Sequence, residues 1–153
     1  MGPCVVLSAS ILTASSNKYE YNTASLNGGA VFVRTESSYQ CEYCTITDNT
    51  ATNGGFAYGE IGSIIGIMHS RLSKNKANEN GSVIMLNTCK DESYFINNTV
   101  TENIVGYSGT LYLLESSIAI NDTVMHDNIE TKPGDSQTPG ISGVLSTIKV
   151  YNS

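Results

Sequence analysis

Asn27-Gly28-Gly29-Ala30-Val31-Phe32-Val33 is the stretch that decides the fold, because the chain returns to it three more times. It comes back as Asn53-Gly54-Gly55-Phe56-Ala57-Tyr58-Gly59, as Asn80-Gly81-Ser82-Val83-Ile84-Met85-Leu86, and as Tyr107-Ser108-Gly109-Thr110-Leu111-Tyr112-Leu113. Gly28, Gly54, Gly81 and Ser108 are almost evenly spaced along the chain. A fixed period of this size, roughly 26–27 residues, marks a repeat architecture.

Working outward, Val5-Val6-Leu7 lies one period before Val31, so the first coil begins by residue 2 and Met1 to Ser16 reads as structure. Forward from Leu111, past Lys132-Pro133-Gly134-Asp135 and Thr138-Pro139-Gly140, Leu145 takes the same place after an interval longer than one period. The excess is expected as an inserted surface loop at residues 131–140. The expectation is one domain over residues 1–153, with coil positions Val5, Val31, Ala57, Ile84, Leu111 and Leu145. No capping segment is apparent at either end, so a fragment of a longer solenoid is expected.

A second motif recurs within each period: Tyr19-x-x-Asn22, Ile46-x-x-Asn49, Leu72-x-x-Asn75, Val100-x-x-Asn103 and Met125-x-x-Asn128. These asparagines keep nearly the same step as the glycine motif and are expected to stack as a ladder at one corner. Short polar or thiol side chains (Asn17, Cys44, Ser70, Asn98, Thr123) sit two residues before each apolar one. Such residues hydrogen-bond local backbone and suit turns, and Asn tolerates the left-handed conformation of a corner.

Each period thus holds two or three short strand-like runs, none able to bury its own apolar face alone. Period-2 alternation assigns the faces. It sends the Val31 and Val33 columns inward and the row Phe32, Tyr58, Met85 and Tyr112 outward. The opposite parity would bury Ala30, Phe56, Val83 and Thr110 instead. The predicted fold is all-β: a right-handed, single-stranded parallel β-helix (solenoid) of about six coils, one coil to each period.

The glycine pair followed by Ala30 and Val31, together with the apolar-x-x-Asn element, resembles the repeats of the polymorphic membrane protein (Pmp) family. That resemblance implies a surface-displayed β-helix acting in adhesion. This chain departs from the family where Tyr, Ile, Leu, Val or Met replace the usual Phe, and where Ser82 and Thr110 replace preferred residues.

Composition narrows the chemistry. The net charge of −6 argues against nucleic acid as a partner, and no apolar run is long enough to insert in a bilayer. A carbohydrate-active β-helix enzyme would need convergent carboxylates. The outward row beside Phe32 holds Ser8, Arg34, Glu60, Asn87 and Leu114, where Glu60 is expected to pair with Arg34. His69 and His126 read as surface residues. Cys41-x-x-Cys44 is a candidate local disulfide in an oxidising compartment, while Cys4 and Cys89 do not converge on it.

Asn80, Asn97 and Asn121 head Asn-x-Ser/Thr sequons. The residues before the ladder asparagines, Tyr21, Asp48, Lys74, Glu102 and Asp127, are expected to form a surface charge ladder. Glu102 and Asp127 are its one candidate Ca²⁺ pair. No cofactor is expected. The functional expectation is a non-enzymatic structural or adhesive module at an extracellular or cell-surface location. It would meet a protein or glycan partner through Phe32, Tyr58, Met85 and Tyr112. The alternatives are a polysaccharide lyase or hydrolase fragment, and a scaffold subunit of a large assembly.

Overall fold

A computed structural model describes residues 1–89, 91–132 and 140–151. All regular elements among these residues are β-strands, and every ladder between them is parallel. The chain winds as a β-solenoid of about five turns, with partner strands about one repeat period apart. Each complete coil uses four strands, one more than the sequence pattern suggests. In the second coil they are Val31–Arg34, Ser38–Glu42, Thr45–Thr47 and Thr50–Ala51. The fourth strand is too short to show alternation.

Stacking the coils generates four sheets. The first contains Val5–Ser8, Val31–Arg34, Ala57–Glu60, Ile84–Asn87, Leu111–Leu114 and Ile141–Val144. The second has six strands from Ile11–Ser15 to Thr147–Tyr151, the third five from Lys18–Glu20 to Val124–His126, and the fourth four from Thr50–Ala51 to Ile129–Glu130. Register in the first sheet follows the repeat: Val31 pairs with Ala57, Ala57 with Ile84, and Ile84 with Leu111. The last step differs. Leu111 pairs with Ile141, not Leu145, which lies beyond the strand and is 83% exposed. The expected loop falls largely on residues 133–139, outside the described residues, and its length could not be deduced from apolar pattern alone.

The interior is a continuous column of aliphatic and aromatic side chains. Val31, Val33, Ala57, Ile84, Leu86, Leu111 and Leu113 enter it from the first sheet, as the favoured parity requires. Ala30, Phe56 and Val83 are buried as well, because they sit at the turn where the chain enters that strand. The two parities were therefore not exclusive. Tyr19, Tyr39 and Phe56 pack edge-on or tilted inside, with ring centroids 5.5–6.3 Å apart. Each fully buried Leu, Ile or Phe contributes roughly 1.5–3 kcal/mol.

Corners hold the coils in register. The amide of Asn49 donates to Asn75 Oδ1 at 2.9 Å and to the Tyr19 carbonyl at 2.8 Å. Its own Oδ1 accepts the backbone and side-chain N–H of Asn22. The pattern repeats at Asn75 and Asn103, and Asn128 closes it. The expected ladder is present, and Asn49, Asn75 and Asn103 are completely buried with all their hydrogen-bonding capacity used. A second ladder runs through Cys44, Ser70, Asn98 and Thr123, each backbone N–H bonding the next side chain. A third, which the sequence reading missed, joins Ser10 to Ser37 and Cys89 to Ser116 and Ser146.

The left-handed conformation falls one residue earlier than expected. Tyr21, Asp48, Lys74, Glu102 and Asp127 have φ between 55° and 57°, and the asparagine after each is free to turn inward. Among the described residues seventeen non-glycine residues adopt positive φ, so φ alone does not demand glycine here. Close approach does. A Cβ on Gly54 would lie 2.1 Å from the Ala57 carbonyl oxygen, and one on Gly55 would lie 2.2 Å from that of Ser82. In the fourth copy Ser108 pairs with Asn80, and Gly109 takes the positive φ. That coil is one residue shorter at the turn.

Three substitutions test these corners. Asn75→Ala leaves buried N–H and C=O groups in both neighbouring coils unpaired and is expected to cost about 3 kcal/mol in urea unfolding. Asn22→Ala, half-buried at the end of the ladder, should cost less than half of that. Gly54→Ala meets backbone that cannot yield and should cost at least about 2 kcal/mol by the same measurement.

Candidate functional site

The outer face of the first sheet carries the aromatic row. Phe32 pairs with Tyr58, Tyr58 with Met85, and Met85 with Tyr112, so the four residues form one line along the solenoid axis. At a coil spacing of about 4.8 Å, large side chains must lean on one another. Phe32 and Tyr58 do so edge to face, with centroids 5.6 Å apart. The Tyr58 hydroxyl accepts a 3.0 Å hydrogen bond from Asn87 Nδ2. Burial, the largest effect, pushes the Tyr58 phenol above its ordinary pKa, against the Asn87 bond, which lowers it.

The row is less exposed than its outward direction implies. Tyr58 and Met85 retain 5% and 8% of their accessible surface, whereas Phe32 and Tyr112 are half-buried. What the row offers a partner is its two ends. Beside Phe32 lies a recess of about 230 Å³ lined by Met1, Pro3, Ala24 and Leu26. Leu26 is exposed, as is Tyr107, over whose ring Lys132 Nζ sits 4.9 Å from the centroid. Leu26 and Tyr107 were not singled out from sequence, since they lie in turns where no alternation marks a face.

The expected Arg34–Glu60 ion pair does not form. Among the described residues the ion pairs are Lys74–Glu102, His126–Asp127 and Lys149–Glu92. Both carboxylates of the candidate Ca²⁺ pair have a basic neighbour instead. Lys74 Nζ is 3.8 Å from Glu102, and His126 Nδ1 is 2.8 Å from Asp127. Among the described residues no three His, Cys, Asp or Glu side chains come together in a way that would hold a metal ion. The charge ladder itself is present. With Ile104 and Ile129 it borders an open groove of about 630 Å³.

On the second sheet a different device appears. A Cβ at Gly66 would fall 2.2 Å from the Tyr94 ring, so the glycine is the seat on which that ring lies flat. Gln40 and Tyr94 are the strand neighbours of Gly66 on either side. An aromatic covering a strand glycine restores the apolar contact the glycine lacks. Gly66 interrupts the aliphatic run Ile64-Ile65-Gly66-Ile67, which was the available signal.

Cys41 and Cys44 form a disulfide across the corner between the second and third sheets, both essentially buried. Cys89 is buried and Cys4 exposed, both as free thiols. Burial, the largest effect, pushes the Cys89 thiol up to about 11. Of the sequon asparagines, Asn97 is exposed, and Asn80 and Asn121 are half-buried.

The fold and these surfaces define a parallel β-solenoid protein. No family model matches the chain, and no curated protein and no solved structure is significantly similar to it.

Thiol counting checks the cysteine assignment. A thiol reagent should titrate one group, Cys4, in the native protein and two after denaturation without reductant. Four groups under the latter condition would show that Cys41 and Cys44 are reduced.

Proposed function

We propose that the chain is a non-enzymatic structural or adhesive module of an extracellular or cell-surface protein. It contacts a protein or glycan partner through the outer face of the first sheet. The observation that carries this reading is the axial row Phe32, Tyr58, Met85 and Tyr112, flanked at the Phe32 end by exposed Val6 and Leu26. Contiguous apolar surface rimmed by polar groups is typical of interaction sites, and aromatic and Met side chains are enriched in interfaces. The buried middle of the row gives a rigid floor, so binding would not have to order those side chains. The buried Cys41–Cys44 disulfide favours an oxidising compartment.

The Asn-Gly-Gly-Ala and apolar-x-x-Asn elements support kinship with Pmp-type repeats. In that setting a stiff, repeating stalk displays its side faces for adhesion. A polysaccharide-degrading activity has less support, because the outer face of the first sheet carries one carboxylate, Glu60, among the described residues. Acid–base cleavage of a glycosidic bond calls for two.

Separate substitutions divide binding from packing. Phe32→Ser combined with Tyr112→Ser changes half-buried ends of the row. It is expected to weaken capture of a cell-surface or glycan-array ligand at least tenfold, with little change in melting temperature. Tyr58→Thr, which also removes the partner of Asn87, should cost about 2 kcal/mol of stability. Equal stability losses with unchanged binding would make the row packing alone and remove this reading.

A further inference from the structure

We infer that Asn97 is a carbohydrate-attachment site, the one sequon of the three at which the folded solenoid accommodates an N-linked oligosaccharide. For its biological setting the inference rests on the extracellular reading above. The three sequons are equivalent in sequence and differ in where the coil places them.

Asn97 occupies the corner between the second and third sheets, where its φ of 52° turns the side chain away from the coil. It is exposed, and so is the hydroxyl-bearing Thr99 two residues on. The inward duty at this corner belongs to Asn98, whose amide donates to the Ile67 carbonyl at 2.9 Å. Asn97 is therefore spared from the ladder. The preceding coils place His69 and Tyr43 at the same corner, with rings stacked 5.1 Å apart. This exposed aromatic surface lets a sugar ring lie along the corner.

Attachment is compatible with the contact Asn97 already makes. Its Nδ2 donates to His69 Nδ1 at 2.9 Å. In the transfer, Nδ2 attacks the anomeric carbon of a lipid-pyrophosphate-linked oligosaccharide. A C–N bond forms, the bond from carbon to pyrophosphate oxygen breaks, and one Nδ2 proton is lost. One N–H remains on the substituted amide and can still face His69.

The other two sequons lack this freedom. Asn80 is half-buried within a column of asparagines, its Nδ2 directed at Asn53 Oδ1 at 3.4 Å, and its sequon partner Ser82 is fully buried. A glycan there would split the stack next to Gly81, where the backbone is already in close contact. Asn121 lies within the second sheet between Ile96 and Tyr151, one strand spacing away on either side. The hydroxyl of its partner Thr123 bonds inside the corner ladder, accepting from the Asn98 backbone N–H and donating to the Asn121 carbonyl.

The test is to secrete the 153-residue chain from a eukaryotic cell line and map its glycopeptides by mass spectrometry in the folded monomer fraction. Asn97 should carry glycan, with Asn80 and Asn121 bare. Thr99→Ala should lose one glycan mass with an unchanged melting temperature, and Thr99→Ser should regain it. A folded chain bare at Asn97, or one occupied at Asn80 or Asn121, overturns the assignment. The host supplies the transferase, so this outcome does not depend on where the native chain resides. A native chain isolated with reduced Cys41 and Cys44 would instead count against the extracellular reading.

Discussion

The structure depends on one constraint: a coil of a solenoid cannot satisfy its own corners. Where the chain turns from one sheet to the next, backbone N–H groups leave the regular ladder and face the interior. Buried and unpaired, each would cost about 1–3 kcal/mol. Asn49, Asn75 and Asn103 meet that demand with one side chain each, bonding the coil below and the coil above. No shorter side chain reaches both neighbours. Ser and Thr at the other corners reach one neighbour and the local backbone.

Axial stacking has a second consequence, on the outside. Equivalent residues of successive coils are strand neighbours, so any outward side chain is flanked above and below by its own repeats. A single aromatic at such a site would be exposed. A row of four covers itself, which is why Tyr58 and Met85 are nearly buried on an outer face. The same rule lets Tyr94 rest on Gly66 and stacks Tyr43 on His69. Small or polar corners break such rows and leave local openings. Exposure in this fold is thus set by the neighbouring coils as much as by the direction of a side chain.

Chemical reactivity is correspondingly damped. Cys89 is held protonated by burial, and Cys41 and Cys44 are sealed inside as a disulfide. Among the described residues no three acidic, His or Cys side chains converge on a metal-sized site, and Glu102 and Asp127 each sit beside a basic side chain.

The sequence alone determined the period, the parallel stacking, the asparagine ladder and the inward faces of the first sheet. These are legible because a parallel solenoid puts residues one period apart directly into contact, so spacing is structure. The Cys41-x-x-Cys44 pair was legible for the same local reason. Tertiary structure decided the rest. It moved the final register from Leu145 to Ile141, because aliphatic residues recur too often after an insertion to fix a pairing. It added a fourth strand that is too short to carry a pattern. It put the left-handed residue before each asparagine, since the amide can reach inward only from the residue after the bend. And it divided the aromatic row into a buried middle and half-buried ends, which is a property of neighbours in space and not of any residue's place in the chain.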